Sequence, residues 1–77
     1  MKIYGASWCG DCKRILYFLG SRNIKFEYVD IDQDPDAKDY VASVNPNGFA
    51  SIPVVEIDKV KILIEPTVSE LEDALKL

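Results

Sequence analysis

Histidine is absent from this 77-residue chain, only two cysteines are present, and no apolar run approaches the length of a membrane-spanning helix. Without imidazole, the chain cannot build a Ser-His-Asp or Cys-His nucleophile, and it lacks the usual nitrogen ligand of zinc. Two cysteines are too few for the disulfide framework that stabilises many small domains. Any catalysis must therefore come from cysteine, carboxylates or lysine.

Length and composition predict one small globular domain covering residues 1–77, because 48% of the residues are hydrophobic and 29% are charged. The net charge of −4 argues against nucleic acid and anionic membranes as partners. The N-terminus also lacks the hydrophobic region of a signal peptide. We therefore expect a soluble, cytoplasmic protein without a membrane partner, and we expect it to be a monomer.

The pattern of apolar residues predicts an α/β chain in the order β-α-β-α-β-β-α. We predict strands at 2–4, 25–31, 52–57 and 60–64. We predict a first helix at about 11–19, a second that begins after Asp34-Pro35 and stops before Pro46, and a last helix that Thr67 opens. A helical crossover makes the first two strands parallel, and a tight turn at residues 58–59 makes the last two antiparallel. The expected architecture is a four-stranded mixed sheet with helices on both faces.

Local signals define the ends of the predicted helices. Gly20 predicts the end of the first helix, and Asp34 followed by Pro35 resembles an N-cap with proline at the first helical position. Thr67 and Glu70 have the spacing of a capping box at the start of the last helix. Four aromatic residues at helix or strand spacing are core candidates, namely Tyr17, Phe18, Phe26 and Tyr28.

The chemistry-bearing motif is the pair Cys9 and Cys12, placed after a strand and across the first turn of a helix. Helical neighbours at i and i+3 lie at a separation that overlaps the range a disulfide requires. The helix N-terminus favours the thiolate of Cys9, whereas Cys12 begins an apolar stripe and should stay protonated. Cys9 is therefore the expected attacking sulfur and Cys12 the resolving one.

Other interpretations of the two cysteines stay open at this point. Zinc usually takes four nitrogen or sulfur ligands, so a metal or an iron–sulfur cluster would have to bridge two chains through Cys9, helped by an external thiol. Two inert cysteines are a further alternative. The negative charge of Asp11 disfavours the thiolate form of Cys9. The positive charges of Lys13 and Arg14 either favour the thiolate form or belong only to the solvated face of the helix.

The segments Ile3-Tyr4, Trp8-Cys9-Gly10-Asp11-Cys12 and Ser51-Ile52-Pro53 resemble the glutaredoxin branch of the thioredoxin fold over nearly the whole chain. Within that branch the chain is most similar to mycoredoxins, through its Trp-Cys-Gly-x-Cys site, the segment 30–35 and Glu65-Pro66-Thr67. The resemblance implies the minimal thioredoxin/glutaredoxin fold. It also implies a cis bond before Pro53, which faces the attacking sulfur, and binding of substrate backbone by Ile52.

The implied activity is thiol-disulfide exchange that reduces protein disulfides or mixed disulfides with a low-molecular-weight thiol. Electrons would come from glutathione or a substitute thiol, or from a flavin enzyme such as thioredoxin reductase, with no bound cofactor. Gly5-Ala6-Ser7 and Ile64-Glu65-Pro66 stand where glutathione-using members have a lysine and a Gly-Gly pair. The expected partners are disulfide-containing proteins, contacted through six residues besides the cysteines: Trp8, Gly10, Asp11, Ser51, Ile52 and Pro53. Trp8 is either a solvent-facing platform for substrate or an apolar anchor.

Overall fold

The computed structural model describes all residues from Met1 to Leu77 and contains four strands and three helices. The strands are β1 (Lys2–Gly5), β2 (Glu27–Asp30), β3 (Val54–Glu56) and β4 (Ile62–Ile64), and the helices are α1 (Gly10–Ser21), α2 (Pro35–Val44) and α3 (Val68–Leu75). The sheet order is β2-β1-β3-β4, with β1 parallel to β2 and β3 antiparallel to both of its neighbours. These observations confirm the predicted fold class and strand directions.

The central strands β1 and β3 each supply residues to two separate cores. Successive side chains of a strand point to opposite faces of the sheet, so adjacent residues such as Ile3 and Tyr4 belong to different clusters. One core packs β1 and β3 against α1 and α3, through Ile3, Ile15, Leu19, Val55 and Leu71. The other packs the same strands against α2 and both cysteines, through Tyr4, Cys9, Cys12, Ala37, Val41 and Val54. The helices therefore cover both faces, as the apolar periodicity predicts.

Three of the strands are shorter than their sequence patterns predict, because a strand extends only as far as its partner supplies hydrogen bonds. The second strand covers 27–30 rather than 25–31, since its four residues pair with the four of β1. The fourth strand begins at Ile62 rather than at residue 60, because the side chain of Asp58 takes the N–H groups of Val60 and Lys61, each at 2.9 Å. The third strand covers 54–56 rather than 52–57.

The helix caps agree with the sequence at two of the three helices. Asp34 accepts a hydrogen bond from the backbone N–H of Ala37, and Thr67 and Glu70 form the reciprocal capping box. The expected stop at Gly20 is wrong, because α1 continues to Ser21 and the left-handed residue after it is Asn23, with φ of 56°. Asparagine tolerates this conformation better than most residues with a Cβ.

The aromatic residues correct the predicted core. Tyr17 is 80% exposed and Tyr28 is 38% exposed, so neither belongs to the interior, while Phe18 and Phe26 are half-buried at its edge. Aromatic side chains at the rim of a small core find too few neighbours to be enclosed. None of the three helices is long and apolar enough to cross a lipid bilayer.

Candidate active site

Cys9 lies in the connection between β1 and α1 and is the N-cap of α1. Its backbone is extended, its N–H donates to the carbonyl of Ala6, and its own carbonyl accepts from Lys13 at 3.2 Å. The Sγ atom of Cys9 accepts the backbone N–H of Cys12 at 3.2 Å. The sulfur thus stands where the oxygen of an ordinary N-cap side chain would stand, and the unpaired N–H groups of the helix end favour negative charge on it.

Cys12 lies in the first turn of α1 and is fully buried. Burial raises the pKa of the Cys12 thiol, and its hydrogen bond with Cys9 raises it further. Both cysteines are free thiols, so the structure describes the reduced protein. Both cysteines are buried, but Cys9, which is 9% exposed, caps the helix N-terminus, whereas Cys12 is fully enclosed.

Trp8 is 68% exposed, and its side chain donates a hydrogen bond to another part of the chain. Its indole N–H donates to Oδ2 of Asp32 at 2.8 Å, and the backbone N–H of Asp32 donates in turn to Oδ1 of Asp30 at 2.8 Å. The exposed ring excludes the interpretation of Trp8 as an apolar anchor. An exposed aromatic ring that is hydrogen-bonded to Asp32 therefore immediately precedes Cys9 in the chain.

The segment Ser51-Ile52-Pro53 precedes β3 and reaches the cysteines through Ile52. The Ile52-Pro53 peptide bond is cis, which confirms the expectation from the family resemblance. Ile52 belongs to the same apolar cluster as Cys9 and Cys12. The carbonyl of Pro53 accepts the backbone N–H of Glu65 at 2.8 Å, so this segment is fixed between the cysteine pair and the end of β4.

Asp11 and Arg14 form an ion pair on the exposed side of α1, with Nη1 of Arg14 2.6 Å from Oδ1 of Asp11. Gly10, the first residue of α1, faces open space, since a Cβ built on it meets no atom within 4 Å. Lys13 is exposed and makes no ion pair. The negative charge of Asp11, two residues after Cys9, is therefore balanced by the positive charge of Arg14.

A cleft opens next to this first turn of α1, and its walls include Asp11, Arg14, Ile15, Pro53, Glu65 and Thr67. Cys9 is not part of its wall, although Asp11 follows Cys9 by two residues. No cluster of three or more metal-ligating side chains is found in the structure. The cleft joins three segments that are remote in sequence.

The sequence analysis did not predict that Asp32 would accept the hydrogen bond of Trp8 next to Cys9. The signal for it is topological, because β1 and β2 are parallel and their carboxyl ends lie at the same edge of the sheet. In open α/β sheets this edge is where ligands bind. Cys9 follows β1 and Asp32 follows β2, so both belong to that edge.

Comparison with known proteins agrees with this geometry. The family model named Glutaredoxin matches residues 1–62. A protein of Mycobacterium tuberculosis strain H37Rv that carries the name of a glutaredoxin is 33% identical over 75 residues, which cover 97% of this chain and 88% of that protein. Mycoredoxin 1 of Corynebacterium glutamicum is 36% identical over 53 residues, covering 69% of this chain and 63% of that protein.

The crystal structure of the glutaredoxin from Archaeoglobus fulgidus superposes with a TM-score of 0.81 at 28% identity, covering 99% of this chain and 85% of that one. The superposition, a cysteine pair at the start of a helix and the match of the family model over most of the chain lead to one conclusion. The chain belongs to the glutaredoxin family, close to the mycoredoxins, and is a thiol-disulfide oxidoreductase of the thioredoxin fold.

Proposed function

We propose that the protein reduces protein disulfides, or mixed disulfides between a protein and a low-molecular-weight thiol, with Cys9 as the attacking sulfur. The observation that supports this assignment is the difference between the two cysteines. Cys9 caps a helix and receives the N–H of Cys12, whereas the Cys12 thiol is buried and its pKa is raised. A thiolate is the reactive form in disulfide exchange, so the first attack belongs to Cys9.

The reaction divides into two exchanges. The Cys9 thiolate attacks one sulfur of the substrate disulfide, forms a mixed disulfide with it, and releases the other sulfur as a thiolate that carries the electron pair of the broken bond. The Cys12 thiol gives its proton to this released thiolate, and the resulting Cys12 thiolate attacks the Cys9 sulfur. The bond between Cys9 and the substrate sulfur breaks, and the second substrate sulfur leaves with the electron pair of that bond. The products are the reduced substrate and a Cys9–Cys12 disulfide, which helical i,i+3 spacing allows.

The oxidised protein needs two electrons to return to the dithiol. Two molecules of a low-molecular-weight thiol supply them by the reverse pair of exchanges, and a flavin-dependent thioredoxin reductase is the other donor class. Trp8, Gly10, Asp11, Ser51, Ile52 and Pro53 are proposed to contact the substrate. Exposure of the Trp8 ring and the open space around Gly10 support contacts on that side of Cys9.

Serine variants of the two cysteines test the assignment. We expect Cys9→Ser to abolish turnover and Cys12→Ser to accumulate a mixed disulfide through Cys9, detected by mass spectrometry of the intact protein. Cys12→Ser should keep activity on mixed disulfides with small thiols, because that exchange needs one sulfur only. Trapping through Cys12 in the Cys9→Ser variant would reverse the two roles.

The same preparations test the competing hypothesis, a carrier in which Cys9 of two chains and an external thiol hold a metal or an iron–sulfur cluster. Protein purified without oxygen is examined by visible absorption and metal analysis. A stoichiometric metal or cluster that is lost in Cys9→Ser, together with no disulfide reduction, would replace the proposed function. Redox equilibration with glutathione, another thiol or thioredoxin reductase then identifies the donor.

A further inference from the structure

The sulfur of Cys12 lies close to an open edge of the sheet. Its Sγ atom is 3.0 Å from the position that a Cβ on Gly5 would take, and Gly5 is the last residue of β1. On this side β1 pairs with β2, which is an end strand of the sheet. Gly5 has no side chain to cover the sulfur, yet Cys12 is fully buried. Another side chain must therefore exclude water from this direction.

The ring of Tyr28, in β2, reaches the same place. Its Cε1 atom is 3.2 Å from the same point beside Gly5. Because the ring edge and the Cys12 sulfur both approach this point, they are at most about 6 Å apart, close to the separation of favourable sulfur–aromatic contacts. Tyr28 is nevertheless 38% exposed. One part of the residue therefore lies beside the buried sulfur, and another part faces solvent.

The hydroxyl of Tyr28 brings no charge to the sulfur. Burial raises the pKa of this hydroxyl, and the negative charges of Asp30, Cys12 and Cys9 raise it further. The ring is therefore neutral at physiological pH. A neutral ring excludes water from Cys12 without placing a positive charge beside it, and burial is the chief cause of the raised pKa of the Cys12 thiol.

We propose that Tyr28 is a positioning residue whose ring closes the solvent side of Cys12, so that this sulfur reacts with the mixed disulfide at Cys9 and not with disulfides in solution. This inference rests on the proposed function, since it concerns Cys12 as the resolving sulfur. An accessible Cys12 would compete with Cys9 for the first attack. The ring thereby helps to fix the order of the two exchanges.

The reactivity of Cys12 towards small reagents tests the proposal. Cys9→Ser leaves Cys12 as the only thiol, and serine is itself a good N-cap for α1. In this background we expect Tyr28→Ala to raise the rate constant for iodoacetamide about three- to tenfold, because hydration of the sulfur lowers its pKa and increases the thiolate fraction. Tyr28→Phe should leave the rate unchanged, because the ring remains.

A small disulfide, dithiodipyridine, provides the second measurement. The Cys12 thiolate attacks one sulfur of this reagent and forms a mixed disulfide with it, and the other sulfur leaves as pyridinethiolate with the electron pair of the broken bond. The absorbance of the released product gives the rate. We expect Tyr28→Ala to accelerate this attack from solution, and Tyr28→Phe not to do so.

Leu63→Ala is the matched control for a general loss of stability. Leu63 is half-buried in β4, the strand at the opposite end of the sheet, and it packs on the same face as Tyr28. Urea unfolding measures the stability of each variant. If Cys12 reacted only through unfolding of the whole protein, the rate would follow stability in both variants, so Leu63→Ala would accelerate the reaction as much as an equally destabilising Tyr28→Ala.

The outcomes separate this inference from the proposed function. Unchanged Cys12 reactivity in Tyr28→Ala, or an acceleration that its stability alone accounts for, would overturn the role of Tyr28 and leave the proposed function standing. An equal acceleration in Tyr28→Phe would show that the ring is not the group that closes the site. Failure of the unmodified protein to reduce any disulfide would overturn the proposed function, and the role of Tyr28 in it, whatever the alkylation rates.

Discussion

At the scale of single residues, Cys9 stands at the N-terminus of α1, and Asp11 and Arg14 form an exposed ion pair in the helix that follows it. The N–H groups at the start of α1 favour the thiolate, and the carboxylate of Asp11 opposes it. Arg14 pairs with that carboxylate at 2.6 Å, so the opposing charge is partly cancelled. An exposed ion pair of this kind contributes only about 0–1 kcal/mol to the free energy of unfolding.

Substitutions of Asp11 and of Arg14 should change the rate of Cys9 alkylation in opposite directions. Asp11→Asn leaves the guanidinium of Arg14 unbalanced and should speed alkylation of Cys9 at neutral pH. Arg14→Gln leaves the carboxylate unbalanced and should slow it. We expect each change to be about two- to fivefold. Iodoacetamide labelling in a Cys12→Ser background measures the rate, and the double variant should return close to the starting value.

An effect of the same direction from both single substitutions would show that the side chains act through packing or helix stability rather than through charge. The reduction potential provides a second measurement. Asp11→Asn, by stabilising the thiolate of the reduced form, should make the potential less negative. A potential that becomes more negative would contradict the electrostatic account.

At the scale of secondary-structure elements, the contact between the end of β1 and the start of α1 positions the buried sulfur. Gly5 is the last residue of β1, and a Cβ built on it would lie 3.0 Å from Sγ of Cys12 and 3.2 Å from the ring of Tyr28. Such distances are shorter than ordinary packing contacts. The strand and the helix therefore approach closely only because no side chain stands at residue 5.

Gly5→Ala should lower the free energy of unfolding by about 1–3 kcal/mol, because the added methyl group overpacks the site. It should also slow the resolving step, which requires the Cys12 sulfur to reach Cys9. Gly20→Ala is the matched control, since Gly20 is inside α1 and a Cβ there meets no atom within 4 Å. The free energy of unfolding of Gly20→Ala should rise by about 0.5–1 kcal/mol, because alanine is favoured over glycine inside a helix. Denaturant unfolding of both variants measures the difference, and equal stability of the two would show that the contact at Gly5 relaxes freely.

At the scale of the whole molecule, α2 is joined to the central sheet by a polar contact as well as by its apolar face. The hydroxyl of Tyr40 donates to Oε2 of Glu56 at 2.6 Å, and the Tyr40 ring packs against that of Tyr4 with centroids 5.2 Å apart. The hydrogen bond to the carboxylate, with burial, raises the pKa of Tyr40 to about 12. Burial chiefly raises the pKa of Tyr4 as well.

These tyrosines predict a loss of stability in alkaline solution. The folded protein holds the Tyr40 proton more tightly than the unfolded chain, whose tyrosine pKa is about 10. The stabilisation is therefore complete below pH 10 and is lost as the pH rises towards 12. Tyr40→Phe should lower the free energy of unfolding by about 1–2 kcal/mol at neutral pH, because the hydrogen bond is lost. In this variant the free energy of unfolding should also decrease less between pH 10 and 12.

Urea unfolding at a series of pH values between 7 and 12 measures both effects. Tyr17→Phe is the control, because Tyr17 is exposed and takes part in no hydrogen bond of the structure. If the free energy of unfolding of Tyr40→Phe falls as steeply between pH 10 and 12 as that of the unmodified protein, the loss of stability comes from Tyr4 or from other groups.

The sequence by itself determined the order of elements, two of the helix starts and the placement of two neighbouring cysteines at a helix start. Each of these depends on residues close together in the chain. Asp34 and Pro35 begin α2, Thr67 and Glu70 begin α3, and two cysteines three apart at a helix start are neighbours whatever surrounds them. The cis bond before Pro53 followed from the family resemblance rather than from local preference.

Only the tertiary structure decided which remote groups surround Cys9 and which aromatic residues are enclosed. Strand order brings Asp32 to the indole of Trp8, 24 residues away in the chain, and brings Glu65 to Pro53. Tyr17 has the same spacing as core residues yet lies outside, because burial depends on whether another element covers that side of the helix. Periodicity indicates that a helix has an apolar face, but the packing of the other elements determines how wide a face is buried.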